Sequence, residues 1–168
     1  MSPVSNPLEG GTSSQPLRIG VIGSGDCEKE IAALARRVGE LIAARGAVLV
    51  CGGLGGVMQA AAEGARESGG TTLGILPGDD ARAASPGIVI PVPSGLGEAR
   101  NAVVVRASEA VIAIAGGWGT LSEAAFCLKI GTPLIRLRSD LPPLPVPAAS
   151  SAEEAVVWAV EQARERRR

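Results

Sequence analysis

Three glycine-rich segments of the chain have a pattern suited to binding an anion. Each segment follows an apolar run. The candidate ligand-binding residues are Gly23, Ser24 and Gly25 in the first segment, Gly52, Gly53, Gly55 and Gly56 in the second, and Gly116, Gly117, Gly119 and Thr120 in the third. Glycine has no Cβ, so the backbone N–H groups can approach a phosphate closely, and the N-terminus of a following helix favours the same charge. The pattern predicts a binding site for a phosphorylated small molecule.

Any one of these segments has a second explanation, because tight turns between a strand and a helix often need glycine for packing alone. The alternation of strands and helices predicts a parallel sheet, whose strands all end at one edge, and ligands bind outside that edge. Three glycine-rich strand ends at one edge favour a binding site over three independent turns.

Arg100 and Glu123 are the candidate catalytic residues. A planar guanidinium beside a phosphate loop can hold an oxyanion with two hydrogen bonds, whereas the alternative for Arg100 is a surface ion pair of little value. A Glu123 carboxylate near a helix N-terminus, which favours the ionised form, could hold ribose hydroxyls, orient water or stabilise an oxocarbenium-like state. Its alternative is the last position of a capping box that begins at Thr120. Asn101 either contacts the ligand or shapes the start of a helix.

The apolar periodicity predicts one Rossmann-like α/β domain over residues 17–168, with a mainly parallel sheet and helices on both faces. The predicted strands are 17–22, 47–51, 71–76, 88–90, 110–114 and 133–137, and the predicted helices are 27–45, 57–67, 98–107, 120–130 and 151–166. Residues 139–150 are predicted to form a loop or an edge crossing, and Ser150 with Glu153 a capping box for the last helix. Residues 1–16, rich in Ser, Pro, Gly and Asn, are predicted to be a disordered tail.

Composition argues against several classes of function. The formal net charge of −1 argues against a nucleic-acid groove, which needs a clustered basic face, so we expect no nucleic-acid partner. The one basic run, Arg164, Arg166, Arg167 and Arg168, is interpreted as a solvated helix end, where cations suit the helix dipole. Histidine, a common general base and metal ligand, is absent, and we predict no metal site. No apolar run has membrane-spanning length and no signal-peptide pattern is present, so we expect no membrane partner. The three cysteines form no CxxC pair, which favours a cytoplasmic protein with reduced thiols.

Two nucleotide-binding motifs are also absent. Glu28 stands where the third glycine of a dinucleotide fingerprint belongs, and the second strand ends in glycines rather than in an acidic residue, which argues against NAD. The chain lacks the GxxxxGK[ST] motif of NTP-hydrolysing P-loops. A monophosphate or a similar phosphoester is therefore the predicted ligand, and no catalytic cofactor is expected.

Residues 116–123, Gly-Gly-Trp-Gly-Thr-Leu-Ser-Glu, resemble the PGGxGTxxE signature of the Lonely Guy nucleotide phosphoribohydrolases, once labelled lysine decarboxylases. Residues 52–58 resemble the GGGxxGLMG loop of that family, and Arg100 has the spacing before Glu123 of its catalytic arginine. The resemblance covers about residues 17–137. It implies hydrolysis of a nucleoside 5′-monophosphate to base and ribose 5-phosphate by Arg100 and Glu123. It also implies a homodimer or homotetramer, which the apolar run 102–105, Trp118 and Phe126 favour as well.

Several residues depart from this pattern. Ala115 replaces the proline of the signature, Ser122 the acidic residue usual before the glutamate, and Asn101 the usual lysine. Residues 95–101, Gly-Leu-Gly-Glu-Ala-Arg-Asn, look closer to a sister branch that includes the molybdenum-cofactor carrier proteins. Three functions stay open: a phosphoribohydrolase, a non-catalytic carrier of a phosphorylated ligand such as the molybdenum cofactor, and a nucleotide-sensing regulatory protein. The sequence favours the nucleotide-binding, hydrolase-like function.

Overall fold

Strands and helices alternate along the chain, as the apolar periodicity predicts. The computed structural model describes residues 15–168. Its strands are β1 (Arg18–Gly23), β2 (Val48–Cys51), β3 (Thr72–Leu76), β4 (Ile90–Pro93), β5 (Ala110–Ile114), β6 (Leu134–Leu137) and β7 (Ala148–Ala149). Its helices are α1 (Lys29–Ala44), α2 (Val57–Glu67), α3 (Arg100–Ala107), α4 (Trp118–Ile130) and α5 (Ala152–Arg166), with 3₁₀ turns at Ala81–Ala83 and Gly97–Ala99.

The strands form one parallel sheet in the order β4-β3-β2-β1-β5-β6-β7. Helices α1, α2 and α5 pack on one face around a core that includes Val38 and Leu49, and α3 and α4 pack on the other around Val104 and Val111. The predicted Rossmann-like α/β fold, with helices on both faces of a parallel sheet, is confirmed. No helix of the described residues is long and apolar enough to cross a membrane. Residues 1–14 lie outside the described part, so the tail over 1–16 stays a prediction.

The strand order reverses at the centre of the sheet. From β1 the chain continues through α1 to β2 on one side, whereas β5, on the other side of β1, leads into α4 on the opposite face. The loops that follow β1 and β5 therefore diverge and leave a crevice at the carboxyl ends of these strands. Open α/β sheets bind their ligands at such a crevice.

The structure differs from the sequence-based expectations at the edges of the sheet. Strand β4 contains Pro91 and Pro93 rather than ending before them. This is possible because residues two apart place their missing N–H groups on the same side, which here is the unpaired edge. The short strand β7 adds an unpredicted pair to β6. The cap of α5 lies one residue later than predicted, since Ser151 Oγ accepts from the Glu154 N–H.

An ion cluster lies at the amino ends of the strands, on the side of the sheet opposite the crevice. The buried Glu109 carboxylate accepts from the Arg18 backbone N–H at 2.8 Å and from the Arg167 side chain, which also donates to the carbonyls of Gln15 and Pro16. Burial raises the pKa of Glu109, but the hydrogen bonds from Arg167 and Arg18 and their two charges outweigh it and hold the pKa below its ordinary value. The cluster ties the end of α5 to the segments that lead into β1 and β5.

Glu109→Ala should lower the free energy of unfolding at pH 7 by about 2 kcal/mol, because the partly buried N–H of Arg18 and the Arg167 guanidinium lose their acceptor. Because the folded-state pKa of Glu109 is lowered, its stabilisation of the fold is present above the ordinary pKa and is lost as the pH falls through the folded-state pKa. The difference in unfolding free energy between the wild type and Glu109→Ala should therefore shrink in acid. Urea unfolding at pH 7 and pH 3 measures it, and Glu161→Ala, at an exposed position of α5, is the control expected to change nothing. An equal loss for both variants would contradict the stabilising role of the cluster.

Candidate functional site

A cleft of about 560 Å³ opens where the strand order reverses, between the β1–α1 loop and the first turn of α4. Its volume suits a small organic ligand. The predicted site residues that line it are Gly23, Ser24, Gly25, Arg100, Asn101, Gly117, Gly119, Thr120 and Glu123. The structure thus brings the first and third glycine segments together with both candidate catalytic residues.

The remaining predicted glycines do not line the cleft: Gly52, Gly53, Gly55, Gly56 and Gly116. Gly56 has a φ of +63°, and a Cβ there would lie 2.2 Å from the Ser24 carbonyl oxygen. That carbonyl accepts from the Val57 N–H at 3.0 Å. The second segment therefore packs against the first and holds the β1–α1 loop in position.

Arg100 is buried at the floor of the cleft, with 7% of its surface exposed. Its guanidinium lies against the backbone of Gly52, where a Cβ would come within 2.5–2.7 Å of three guanidinium atoms. Nη1 donates to Asn101 Oδ1 at 2.7 Å and lies 3.8 Å from Glu123 Oε1. Among the described residues, Nε is buried without a hydrogen-bond partner. An unpaired buried donor is costly, so this group suits an acceptor that a ligand brings.

Gly52→Ala should displace the Arg100 guanidinium, because the added methyl group overlaps it. We expect the variant to fold and to lose about tenfold or more in affinity for an anionic ligand, the equivalent of one charge-assisted hydrogen bond. Titration calorimetry on folded protein measures the change. The matched control is Gly78→Ala, where nothing lies within 4 Å of the new methyl group. Equal affinity in both variants would show that the position of Arg100 is unimportant for binding.

Glu123 is also buried in the cleft, with 6% of its surface exposed. Helix α4 begins at Trp118 after the cap residue Gly117, so Thr120 is not a cap and the capping-box alternative is wrong. Burial raises the pKa of Glu123 to about 7, although the charge of Arg100 lowers it. The helix N-terminus has little influence on this carboxyl, because Glu123 lies more than one turn inside α4 and burial has the largest effect on its pKa.

Sequence reasoning missed part of the cleft wall: Asp26, Leu54, Pro77, Gly97 and Glu98, while Met58, interpreted as core, both packs in the core and lines the cleft. Asp26 and Glu98 are exposed carboxylates at the rim. Pro77 follows β3, whose end lies on the same edge as those of β1 and β5, and that position was the available signal. Gly97 and Glu98 belong to the segment 95–101 that resembles the sister branch, but the sequence indicates only Arg100 and Asn101 of that segment as site residues.

The described residues contain no group of three His, Cys, Asp or Glu side chains placed to hold a metal ion. Burial raises the pKa of Cys51 to about 11 and that of Cys127 to about 12, so both thiols stay neutral at pH 7. A neutral thiol is a poor nucleophile. The arrangement can therefore bind an anion through Arg100 and backbone N–H groups, and Glu123 can exchange a proton near neutral pH.

The fold and the cleft define a Rossmann-like protein with an open cleft at the reversal of its strand order. Residues 16–166 match the model of the SLOG cluster4 family, and the chain belongs to this family. The resemblance to the Lonely Guy superfamily, and within it to the branch of the carrier proteins, is confirmed.

Known proteins resemble the chain over most of its length. An Archaeoglobus fulgidus protein is 42% identical over 147 residues, 86% of this chain and 95% of that protein. The molybdenum cofactor binding protein of the phototrophic bacterium Rippkaea orientalis has a TM-score of 0.83 and 37% identity, covering 89% of this chain and 98% of that chain. The molybdenum cofactor carrier protein of Chlamydomonas reinhardtii has a TM-score of 0.80 and 32% identity, covering 90% of this chain and 99% of that chain.

Proposed function

We propose that the protein binds the molybdenum cofactor in the cleft at the end of β1 and β5 and carries it without chemical change. The observation that carries the proposal is the nearly full-length likeness to two proteins described as binding or carrying this cofactor. The cofactor is cargo here and takes no part in a reaction of the protein. The three reduced cysteines suit a carrier that acts in the cytoplasm.

The residues of the cleft fit such a cargo. The cofactor combines a terminal phosphate with a pterin ring whose edge carries N–H donors. The buried Arg100 guanidinium, with its unpartnered Nε, can pair with the phosphate. The backbone N–H groups of Gly117, the cap residue of α4, and of Gly119 in the first turn of this helix can assist. The exposed carboxylates of Asp26 and Glu98 can accept from the pterin edge.

The test is recovery of cargo from purified protein. The chain is expressed in cells that make the cofactor, purified without oxygen and oxidised, and the fluorescent pterin and the molybdenum released are measured per chain. We expect both in a fixed ratio, and we expect the loaded protein to activate a molybdenum enzyme that lacks its cofactor. An unrelated protein with the same tag is the control. Protein that never contains more pterin than this control would refute the carrier function.

Hydrolysis of a nucleoside monophosphate is the second candidate. It is favoured by the buried pair of Arg100 and Glu123, because a carboxyl with a pKa of about 7 can give and take a proton at neutral pH. Chromatography of a panel of nucleoside monophosphates incubated with the protein tests it. If it is correct, free base appears, and Glu123→Gln lowers the rate about 100-fold or more while binding persists. Tight binding without release of base favours the carrier.

We infer that copies of the chain associate through α3 and α4. Of the apolar run 102–105, only Val103 is clearly exposed, while Leu128 of α4 is 43% and Trp118 87% exposed. Exposed apolar side chains of this size are typical of interfaces. Light scattering at micromolar concentration should give a dimer or tetramer, and Val103→Glu with Leu128→Glu should give a monomer. Val157→Glu, which changes an exposed apolar residue on α5, is the matched control and should keep the wild-type assembly. A monomeric wild type would refute the assembly.

A further inference from the structure

Asn101 and Ser122 belong to a series of hydrogen bonds that joins α3 to α4. Arg100 Nη1 donates to Asn101 Oδ1 at 2.7 Å, Asn101 Nδ2 donates to Ser122 Oγ at 2.9 Å, and Ser122 Oγ donates to the Gly119 carbonyl at 2.7 Å. A guanidinium can only donate, so the amide must turn its oxygen toward Arg100 and its NH₂ group toward Ser122. The arrangement is therefore directional and begins at Arg100.

These two residues are also two of the departures from the Lonely Guy pattern, which has lysine at 101 and an acidic residue at 122. The two side chains contact each other in the structure through a neutral hydrogen bond, so the two departures lie at one contact. This contact adjoins the guanidinium of Arg100, which donates to Asn101.

That guanidinium has two competing partners. Nη1 is within hydrogen-bond distance of Asn101 but 3.8 Å from Glu123 Oε1, which is too far for a hydrogen bond. Among the described residues, the titratable groups coupled to Glu123 are Arg100 from α3, Cys51 from β2 and Cys127 from α4. Both thiols are neutral at pH 7, so Arg100 is the one charge that can strongly move the Glu123 carboxyl.

We propose that Asn101, oriented by Ser122, is a positioning residue that keeps the Arg100 guanidinium out of hydrogen-bond distance of the Glu123 carboxyl and so available to an anion in the cleft. The second half of this statement rests on the proposed function. The first half concerns only the protein and can be tested without any ligand.

The test is a carboxyl titration by NMR with ¹³C-labelled glutamate, in which Glu123→Gln identifies the Glu123 resonance. The wild-type midpoint is expected near pH 7. Asn101→Ala should lower it by about one pH unit, because the released guanidinium turns to Glu123 and stabilises its charged form. Ser122→Ala should lower the midpoint less than Asn101→Ala does. Ser122→Thr, which keeps the hydroxyl, should leave the midpoint at the wild-type value. The double variant Asn101→Ala/Ser122→Ala should match Asn101→Ala alone, since both act through one network.

The control is Arg106→Gln, at an exposed position of the same helix, which should leave the midpoint in place. The proposal is overturned if Asn101→Ala and Ser122→Ala both leave the midpoint unchanged or raise it. Ser122 is exposed, so its variants decide the matter if Asn101→Ala does not fold.

A second measurement separates this proposal from the proposed function. Inorganic phosphate is added to the wild type, and the Arg100 Nε–H resonance is followed. A response supports both the anion site and the availability of the guanidinium. A silent Arg100 together with the expected fall of the midpoint in Asn101→Ala counts against the phosphate site, while the positioning of Arg100 by Asn101 stands.

Discussion

As a test of the proposed carrier function, Arg100→Met should lower the affinity for the cofactor about 10- to 150-fold and so lower the pterin recovered per chain. Loss of a hydrogen-bonded charge at a ligand contact typically removes about 1.5–3 kcal/mol, and each 1.4 kcal/mol is tenfold in affinity. Methionine keeps most of the buried volume, so the cleft should not collapse. The effect is expected to be this large because Arg100 is buried, lies on the Gly52 backbone and brings an unpartnered Nε to the site.

The matched control for this variant is Arg106→Met, which removes the same charge from an exposed position of the same helix. It should retain the wild-type pterin content, because a distant exposed charge is screened by solvent. Circular dichroism confirms that both variants fold. Equal pterin in Arg100→Met and Arg106→Met would place the cargo somewhere other than the floor of the cleft.

Glu123→Gln should stabilise the protein by up to about 3 kcal/mol above pH 7. Burial raises the folded-state pKa of Glu123 from 4.5 to about 7, and each pKa unit corresponds to about 1.36 kcal/mol. Between these two values the folded state binds more protons than the unfolded state, so the stability of the wild type falls as the pH rises. The gain in the variant should be absent near pH 4, grow through neutral pH and level off above it.

Urea unfolding at several pH values between 4 and 8.5 measures this difference. Glu98→Gln is the control, since it makes the same chemical change at an exposed position of the same cleft. A stability difference for Glu123→Gln that does not change with pH would mean that burial does not raise the pKa of this carboxyl. That result would also weaken the case for proton exchange in a hydrolase.

The fold could be predicted well from the sequence because every strand but β7 is an apolar segment that ends at glycine, proline or polar residues. The sequence also indicated Arg100, Glu123 and the glycines after β1 and β5. It could not assign separate roles to the three glycine segments, because strand order is a tertiary property. The segment after β2 lies one strand away from the reversal and became a support for the β1–α1 loop.

The burial of Glu123 was not predictable for a similar reason. Its sequence position suggested a helix N-terminus, but the residues that bury it are distant in the chain. The link between Asn101 and Ser122 was equally hidden, because 21 positions separate them in sequence. The sequence showed two separate departures from a pattern, and only the packing of α3 on α4 makes them partners.

The contact of Arg167 with the carbonyls of Gln15 and Pro16 brings the two ends of the described chain together, on the side away from the cleft. A short peptide could therefore join residue 168 to residue 15 and give a circular permutant, with its new ends opened at Gly69, an exposed turn on that same side. A fluorophore or a sensor surface attached to the new ends at Gly69 would leave the mouth of the cleft facing solution. Loading and unloading of cargo could then be followed in real time on immobilised protein.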